Sequence, residues 1–318
     1  MGHPVRFVGI EDRVPWIRTC LDAAAAHDWH GLRTTIATNA TCPDDVNATL
    51  STIADANPAD TGAWLRDLDA DAGPDLLRTE LMAEVLIGAA WLKRSHARAR
   101  DLSEHQISEF SAGILAAEHF LTKQIGHHPT DEHLWASRIS TGVGASVGLS
   151  EITRRHRRLA TIDPNSFAGA RRYLLALLPK WYGTYPDTLQ FARTTAAHAA
   201  PGSLLRSLPA LYYADHWLME PDDQAKQLLA RNDVREELVR AGLDSVLNPT
   251  HRPTAYGLHM VSTLALLLSL GGWWADAWPY YHILGSTPVS GFNLWETMRD
   301  APQTYLKFFD RARQAGQP

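Results

Sequence analysis

The segment that decides the fold is HPTDEHLWASRISTGVGASVGLSEITRRHRRLATIDPNSFAGA, residues 128–170. Apolar residues recur in it every three or four positions, and prolines punctuate the pattern at Pro129 and Pro164. This spacing is typical of amphipathic α-helices that pack face to face, and proline suits the first turn of a helix. The segment therefore predicts paired helices whose limits are marked by prolines.

Prolines recur along the chain at Pro58, Pro129, Pro164 and Pro201, and each of them follows a helical pattern. A helix–turn–helix unit of about 34 residues that ends near a proline is the signature of tetratricopeptide repeats, and the last three prolines follow this period. The first interval is about two periods long. Trp64 and Trp135 lie at the same offset from the prolines before them, where such a repeat places a bulky side chain. The prolines therefore indicate a repeat rather than isolated loops.

We expect an all-α fold, a tetratricopeptide-like right-handed α-superhelix (α-solenoid) of about seven or eight helix pairs. Residues 1–125 are expected to form a degenerate N-terminal helical region, continuous with a repeat region over 126–318. Runs of residues typical of strands are nearly absent. The alternative is a plain helical bundle in which the prolines fall at loops by chance.

Two helices can be outlined from their apolar faces. The first is expected over about residues 74–100, with a face formed by Leu81, Val85, Ala89 and Leu92. The face of the next helix is formed by Ile107, Phe110, Ile114, Ala117 and Leu121. Both faces have the spacing of a helix that buries one side.

A resemblance to a known family rests on three parts of the chain, residues 135–164, 179–193 and 274–285. The most specific part is the stretch from Lys180-Trp181 to Phe191-Ala192-Arg193. Over roughly residues 130–310 the chain resembles a family of bacterial helical-repeat proteins that is filed under a domain of unknown function. The resemblance implies an α-superhelix of the tetratricopeptide type and implies no reaction.

The composition excludes several classes of protein. The 318 residues carry a formal net charge of −5, which argues against non-specific binding to nucleic acid or to anionic lipid. With only two cysteines, Cys20 and Cys42, the chain has no disulfide framework and no four-thiolate zinc site. The 15 histidines leave room for acid–base chemistry near neutral pH.

One apolar stretch, residues 255–275, is long enough to suggest a membrane span. Polar residues such as His259 and Ser262 interrupt it, Gly271-Gly272 breaks it, and no basic cluster flanks it. We therefore expect a buried helix, no membrane contact, and a cytoplasmic protein with two reduced thiols.

The candidate catalytic residues are Lys180, Arg193 and His216. Arg193 could hold a carboxylate or a peptide carbonyl in two-pronged fashion, with Trp181 as a wall and Tyr182 beside it. His216 could act as a general base if an acid elsewhere orients it. The alternatives are a packed loop, with Arg193 paired to an acid or a helix C-terminus, and a histidine that caps or bridges helices.

Counting positions within the predicted repeat assigns further candidate binding residues to the concave face. Counted from Trp135, the groove positions include His133 in one repeat and Arg171 in the next. Arg138 falls at a position that is usually apolar, so we expect a buried cation with a carboxylate partner, for which Glu118 is the candidate.

No cofactor is expected. The pairs His27 and His30, and His105 and Glu109, have helical spacings that could share a metal, but neither has a third ligand at a diagnostic spacing. The chain lacks a phosphate-binding GxxxxGK[ST] loop and a GxSxG elbow. The expected site therefore uses side chains alone.

Three functions remain open. The first is a helical-repeat protein that binds a peptide or protein partner in its concave groove. The second is a metal-independent enzyme that uses His and Arg to modify a peptide, such as a ribosomally made natural-product precursor. The third is a structural subunit of a larger complex, and a homodimer is a further mode of assembly. An enzyme predicts buried polar residues that converge on one pocket, whereas a binding scaffold predicts an open groove.

Overall fold

The computed structural model describes residues 5–71, 75–94, 102–219 and 221–316, and within these ranges all regular elements are helices. The all-α class is therefore confirmed. The chain divides into two compact units. The N-terminal unit is Pro15–Tyr185, and the C-terminal unit combines the described residues before it with those from Pro186 onward. The boundary predicted after residue 125 lies near the end of a helix inside the N-terminal unit.

The helices are numbered in chain order. The first, α1 (Ile10–Arg13), belongs to the C-terminal unit. The helices of the N-terminal unit are α2 (Pro15–Ala25), α3 (Trp29–Asn39), α4 (Pro43–Ala56), α5 (Pro58–Asp71), α6 (Leu76–Arg94), α7 (Glu104–His127), α8 (Glu132–Gly144), α9 (Leu149–Ile162) and α10 (Phe167–Ala176). The later helices are α11 (Tyr185–His198), α12 (Leu208–Met219), α13 (Asp223–Leu229), α14 (Asn232–Asp244), α15 (Ala255–Leu270), α16 (Trp274–Leu284) and α17 (Ala301–Gly316). Short 3-10 helices cover Leu204–Ser207 and Leu294–Thr297.

Several helices of the N-terminal unit begin at side chains that cap them. At the start of α7 the Ser103 hydroxyl accepts the N–H of Gln106 at 3.2 Å, and the Gln106 side chain accepts the N–H of Ser103 at 3.0 Å. This reciprocal pair is a capping box. At the start of α8 the Asp131 carboxylate accepts the N–H of Leu134 at 2.7 Å. Such caps satisfy amides that have no partner inside the helix and so fix where it begins.

Four helices of the N-terminal unit surround a common interior. Helix α4 contacts α6, α6 contacts α8, and α8 contacts α10, while α10 returns to contact α4. At this return the Asp44 carboxylate of α4 accepts the N–H groups of Phe167 and Ala168, at 3.1 and 2.9 Å. Helices α5, α7 and α9 each pack against members of this ring.

The predicted apolar faces are confirmed at their centres and wrong at one end. Leu81 and Ile114 are fully buried, whereas Leu92 is 61% exposed and Ile107 is 46% exposed. The exposed pair lies where α6 ends and α7 begins. There the rings of Trp91 and Phe110, with centroids 4.9 Å apart, fill the contact between the helices instead. Residues 72–74 and 95–101, at the limits of the predicted first helix, lie outside the described residues.

The C-terminal unit contains the apolar stretch singled out in the sequence. Helix α15 is buried along most of its length, as expected. Among the described residues, no helix has the length and apolar character required to cross a membrane. The segment before α2 joins this unit through Arg13, whose Nη1 donates to the carbonyls of Leu284 and Thr287 at 2.7 and 2.6 Å.

Candidate functional site

A buried polar cluster occupies the interior between α4, α6, α8 and α10. At its centre is Glu84 of α6, whose carboxylate accepts two hydrogen bonds from Arg172 Nη2, at 2.9 and 3.1 Å. The Ser137 hydroxyl donates to Glu84 at 2.5 Å and the Ser51 hydroxyl at 3.0 Å. His133 Nε2 lies 3.2 Å from Glu84 Oε1. Each of the four helices thus contributes a polar side chain.

Helix geometry explains why these side chains meet. His133 and Ser137 are four residues apart on α8, so both project from one face toward α6. The Asn47 amide nitrogen of α4 lies 3.0 Å from His133 Nδ1. Because an amide nitrogen only donates, Nδ1 accepts this hydrogen bond and the ring proton is on Nε2, which faces Glu84.

Glu84 is ionised despite its burial. Burial raises the pKa of this carboxyl, but the Arg172 guanidinium, His133 and the Ser137 hydroxyl together hold the pKa well below its ordinary value. The cluster therefore contains a carboxylate that is neutralised and hydrogen-bonded within the protein, which is the condition for keeping a charge in an interior.

A second network lies between α7, α8 and α9 and confirms the partner expected for Arg138. Arg138 Nε is 3.2 Å from Glu118 Oε1, and the Thr141 hydroxyl donates to Glu118 Oε2 at 2.6 Å. Arg155 donates to both oxygens of Glu118, at 2.7 and 3.0 Å, and to the Arg138 carbonyl at 2.6 Å. Arg138 is thereby committed to a half-buried interhelical contact.

An acidic cavity of about 680 Å³ lies beside the central cluster, bounded by α3, α4, α6 and α8. The described residues that line this acidic cavity are Arg33, Ala40, Thr41, Cys42, Pro43, Val46, Asp75, Leu76, Leu77, Glu80, Glu132 and His133. Three of them are carboxylic acids and one is His133 of the cluster. Arg33 is already paired, with Nη1 3.5 Å from Asp75 Oδ2.

Glu80 has the most unusual environment of these acids. It is 8% exposed, and its neighbour Asp131 is engaged in capping α8. Burial, with the adjacent Asp131 carboxyl, raises the pKa of Glu80 to about 9. Burial also raises the pKa of Glu132. Glu80 therefore holds a proton at neutral pH and is a potential proton donor in the cavity.

Cys42 also lines the acidic cavity, but its environment disfavours the thiolate. Burial, reinforced by the charges of Asp45 and Asp44, raises the pKa of the Cys42 thiol to about 11. Because the thiolate is the reactive form, nucleophilic chemistry at Cys42 is suppressed at neutral pH.

The structure places Arg193 and His216 in the C-terminal unit. Arg193 forms a two-pronged pair with Glu237, at 2.6 and 2.8 Å, and the Tyr213 hydroxyl donates to the same carboxylate at 2.7 Å. His216, half-buried on α12, lies against Tyr212, with ring centroids 6.3 Å apart. Arg193 is thus paired to an acid of the protein, which is the alternative given for it in the sequence.

The remaining predicted residues lie on the N-terminal unit. Lys180 is exposed, and Trp181 stacks edge-on against Trp91, with centroids 6.1 Å apart. The Tyr182 hydroxyl donates to the Val143 carbonyl at 3.1 Å. Arg171 is half-buried on α10, next to the residue that binds Glu84. Of the predicted site residues, His133 is the one that lines the acidic cavity among its described residues.

The residues that sequence reasoning missed are Glu80, Glu84 and Arg172. A signal for two of them was present: Glu80 and Glu84 are four residues apart and flank the apolar face at Leu81. Charges at that spacing beside a buried face mark either a partner helix or an internal ion pair. Arg172 has no such signal, because Arg171 precedes it and the sequence does not say which of the two points inward.

Comparison with known proteins adds no family. No protein-family model matches the chain, and no curated protein is significantly similar to it. Within the described residues no group of three or more His, Cys, Asp and Glu is arranged to hold a metal ion.

Proposed function

We propose that the N-terminal unit is a helical-repeat binding module whose acidic cavity takes a cationic segment of a peptide or protein partner. The observation that carries the proposal is the position of Glu80. This carboxyl group is more than nine-tenths buried, lines the cavity, and has no cationic partner among the described residues. Glu80 is hydrogen-bonded to Asp131, which is another acid and supplies no countercharge. Burying an acid without a countercharge costs stability, and such a cost at a cavity wall favours a binding role.

The charges of the cavity define what would fit. Arg33 is engaged by Asp75, so Glu80 and Glu132 are left to face the cavity without a cation from the described lining. A lysine ammonium or arginine guanidinium would supply the missing charge and the hydrogen bonds of a carboxylate. The volume of about 680 Å³ accommodates such a side chain with its flanking backbone.

We further propose that the helix pairs stack as a superhelix of the tetratricopeptide type, in keeping with the resemblance noted over residues 130–310. Two rows of helices are supported by the contacts. Helices α4, α6, α8 and α10 contact one another in succession and would form the inner row, and α5, α7 and α9 pack against them and would form the outer row. The contact of α10 with α4 narrows the space enclosed by α4, α6, α8 and α10. The acidic cavity is then the part of this groove that a ligand can occupy.

We also infer a cytoplasmic location. It is supported by Cys20 and Cys42, which are both free thiols in the structure.

Isothermal titration calorimetry with acetyl-Ala-Lys-Ala-amide tests the binding proposal. Replacing the lysine with norleucine, or with glutamate, should abolish binding. Glu80→Gln and Glu132→Gln should each weaken binding about tenfold, because each removes a carboxyl group that can pair as a carboxylate with the ammonium group in the complex. Glu104→Gln, an exposed glutamate in the first turn of α7, is the matched control and should leave the affinity unchanged. Equal affinity for the norleucine peptide would contradict the proposal.

A second candidate, proton-transfer catalysis on the bound peptide, is favoured by a separate observation. Glu80, which holds a proton, and Glu132, a second carboxyl group, line the same cavity. Such a pair of groups could donate and accept protons without a metal. Incubating the peptide in D₂O and measuring its mass distinguishes the two functions. Deuterium that enters at carbon with the wild type but not with Glu80→Gln would favour catalysis, and a peptide recovered unchanged would favour binding alone.

A further inference from the structure

A second cavity, which shares Asp75 with the acidic cavity, lies along α5, α6 and α7. Its volume is about 720 Å³. The described residues that line this basic cavity are Leu65, Arg66, Asp75, Arg78, Thr79, Met82, Leu86, Phe120, Lys123, Gln124, His127 and His128. Three of these side chains are cations, two are histidines, and one is an acid.

The cations at one end of the basic cavity are not balanced by acids. Arg66 and Lys123 form no ion pair with the described residues. Asp75, the acid of the described lining, is engaged elsewhere: Arg33 Nη1 lies 3.5 Å from it, and Trp29 Nε1 donates to it at 3.3 Å. This end of the cavity therefore presents positive charge that an anion can neutralise.

Arg78 does not serve as a free cation, but it shapes the same end. Its side chain is buried, and Nη1 donates to the Leu68 carbonyl at 3.3 Å. The buried guanidinium thus ties the start of α6 to α5 and contributes positive charge from within. Arg66 and Lys123 are the exposed groups that could contact a ligand directly.

The other end of the basic cavity is apolar. Met82 and Leu86 are one turn apart on α6, and Phe120 faces them from α7; all three are half-buried. Helices α6 and α7 run antiparallel, since Gly113 approaches Ala90 near the end of α6. Consequently Phe120 lies toward the apolar end, whereas Lys123, one turn later on α7, lies toward the cationic end.

We propose that the basic cavity binds an anionic amphiphile, a molecule with one carboxylate or phosphate head and an alkyl or aryl tail. The head would contact Lys123 and Arg66, and the tail would cover Met82, Leu86 and Phe120. The separation of charge from apolar surface along one groove carries the inference, because a free inorganic anion would leave the apolar end unused. The residues proposed to contact the head and the tail are not among the described residues that line the acidic cavity.

Calorimetric titration of the full chain with alkyl carboxylates, below their micellar concentrations, tests the proposal. Affinity should rise from hexanoate to octanoate to decanoate, by about fourfold per methylene group if the tail is fully buried. Decyl phosphate should compete with decanoate, and the tighter of the two identifies the preferred head. Decyltrimethylammonium, which has the same tail and a positive head, should not bind.

Two substitutions separate the head from the tail. Lys123→Glu should weaken decanoate binding at least about tenfold, and Phe120→Ala should flatten the dependence on chain length. Lys307→Glu, at an exposed lysine of α17 in the C-terminal unit, is the matched control. Circular dichroism and thermal unfolding check that the variants fold, and Lys123→Gln replaces Lys123→Glu if it does not.

Three results would overturn the proposal. These are acetate or inorganic phosphate binding as tightly as decanoate, decyltrimethylammonium binding as tightly as decanoate, and a Lys123 variant that folds and binds decanoate like the Lys307→Glu control.

Discussion

Arg172 on α10 and Glu84 on α6 form the central contact of the N-terminal unit: Nη2 of the arginine donates to both carboxylate oxygens across 88 residues of sequence. The carboxylate is buried, so it has exchanged water for this guanidinium, for two hydroxyls and for His133. A buried ion pair adds little when intact, but loss of one partner leaves an uncompensated charge in the interior.

Arg172→Leu should therefore lower the free energy of unfolding by about 3–5 kcal/mol, because Glu84 loses its countercharge. Chemical denaturation monitored by circular dichroism measures the loss. Arg193→Leu is the matched control, since the Arg193 side chain is 54% exposed in its pair with Glu237 and should cost about 1 kcal/mol or less. Similar losses in the two variants would show that Glu84 is not an isolated charge when Arg172 is removed.

The pH dependence of stability should reveal Glu80. Its pKa is raised from 4.5 to about 9 in the folded protein, so the folded state binds the proton more tightly than the unfolded state. The contribution of Glu80 to the free energy of unfolding is fully present below pH 4.5 and is lost as the pH rises toward 9. Glu80→Gln cannot ionise, so its stability relative to wild type should increase between pH 5 and pH 9. Thermal unfolding across this range measures the difference, and a constant difference would argue against a protonated Glu80.

The contact of Asp44 with the first turn of α10 should be visible in amide exchange. Asp44→Ala should speed hydrogen exchange at Phe167 and Ala168, whose N–H groups it accepts, and lower stability by about 1–2 kcal/mol. Asp28→Ala removes a cap of α3, where Asp28 accepts the N–H of Gly31 at 2.8 Å, and should leave the α10 amides unchanged. If Asp44→Ala leaves those amides protected, the α4–α10 contact does not depend on this carboxylate.

The exposed end of the α6–α7 pair gives a direct comparison with the sequence. Leu92→Ser should change stability by less than about 0.5 kcal/mol, because its side chain is in solvent. Leu81→Ala, on the same predicted face but fully buried, should cost about 2–5 kcal/mol. Urea denaturation measures both, and a large loss in the Leu92 variant would place that side chain in a contact.

Leu81 and Leu92 show what the apolar periodicity of the sequence can and cannot predict. The apolar spacing of α6 and α7 predicted the helices and the buried centre, because burial of one face selects that spacing. It could not show where a helix extends past its neighbours, since that depends on the lengths of other helices. The prolines likewise marked the turns between helices at Pro129 and Pro164 but not the return of α10 to α4, which is a contact between residues far apart in sequence.

The site was harder to predict than the fold. His133 was identified from its position in the predicted repeat, and Arg138 because a charged residue stands where that repeat usually has an apolar one. Glu118 proved to be the partner of Arg138. Glu80 and Glu84 were not identified, because a charged residue near an apolar stripe is usually solvated and only the packing of four helices makes these two buried. Their chemistry comes from tertiary structure, which raises the pKa of one carboxyl and lowers that of the other.

The binding of a cationic segment at Glu80 is tested most directly by counting protons. Titration of acetyl-Ala-Lys-Ala-amide at pH 7 in phosphate and in Tris compares binding enthalpies in buffers that take up protons with different heats. Because the ammonium group favours the ionised form of Glu80, wild type should release close to one proton per peptide, and Glu80→Gln should release none. Equal enthalpies in the two buffers for wild type would contradict the account.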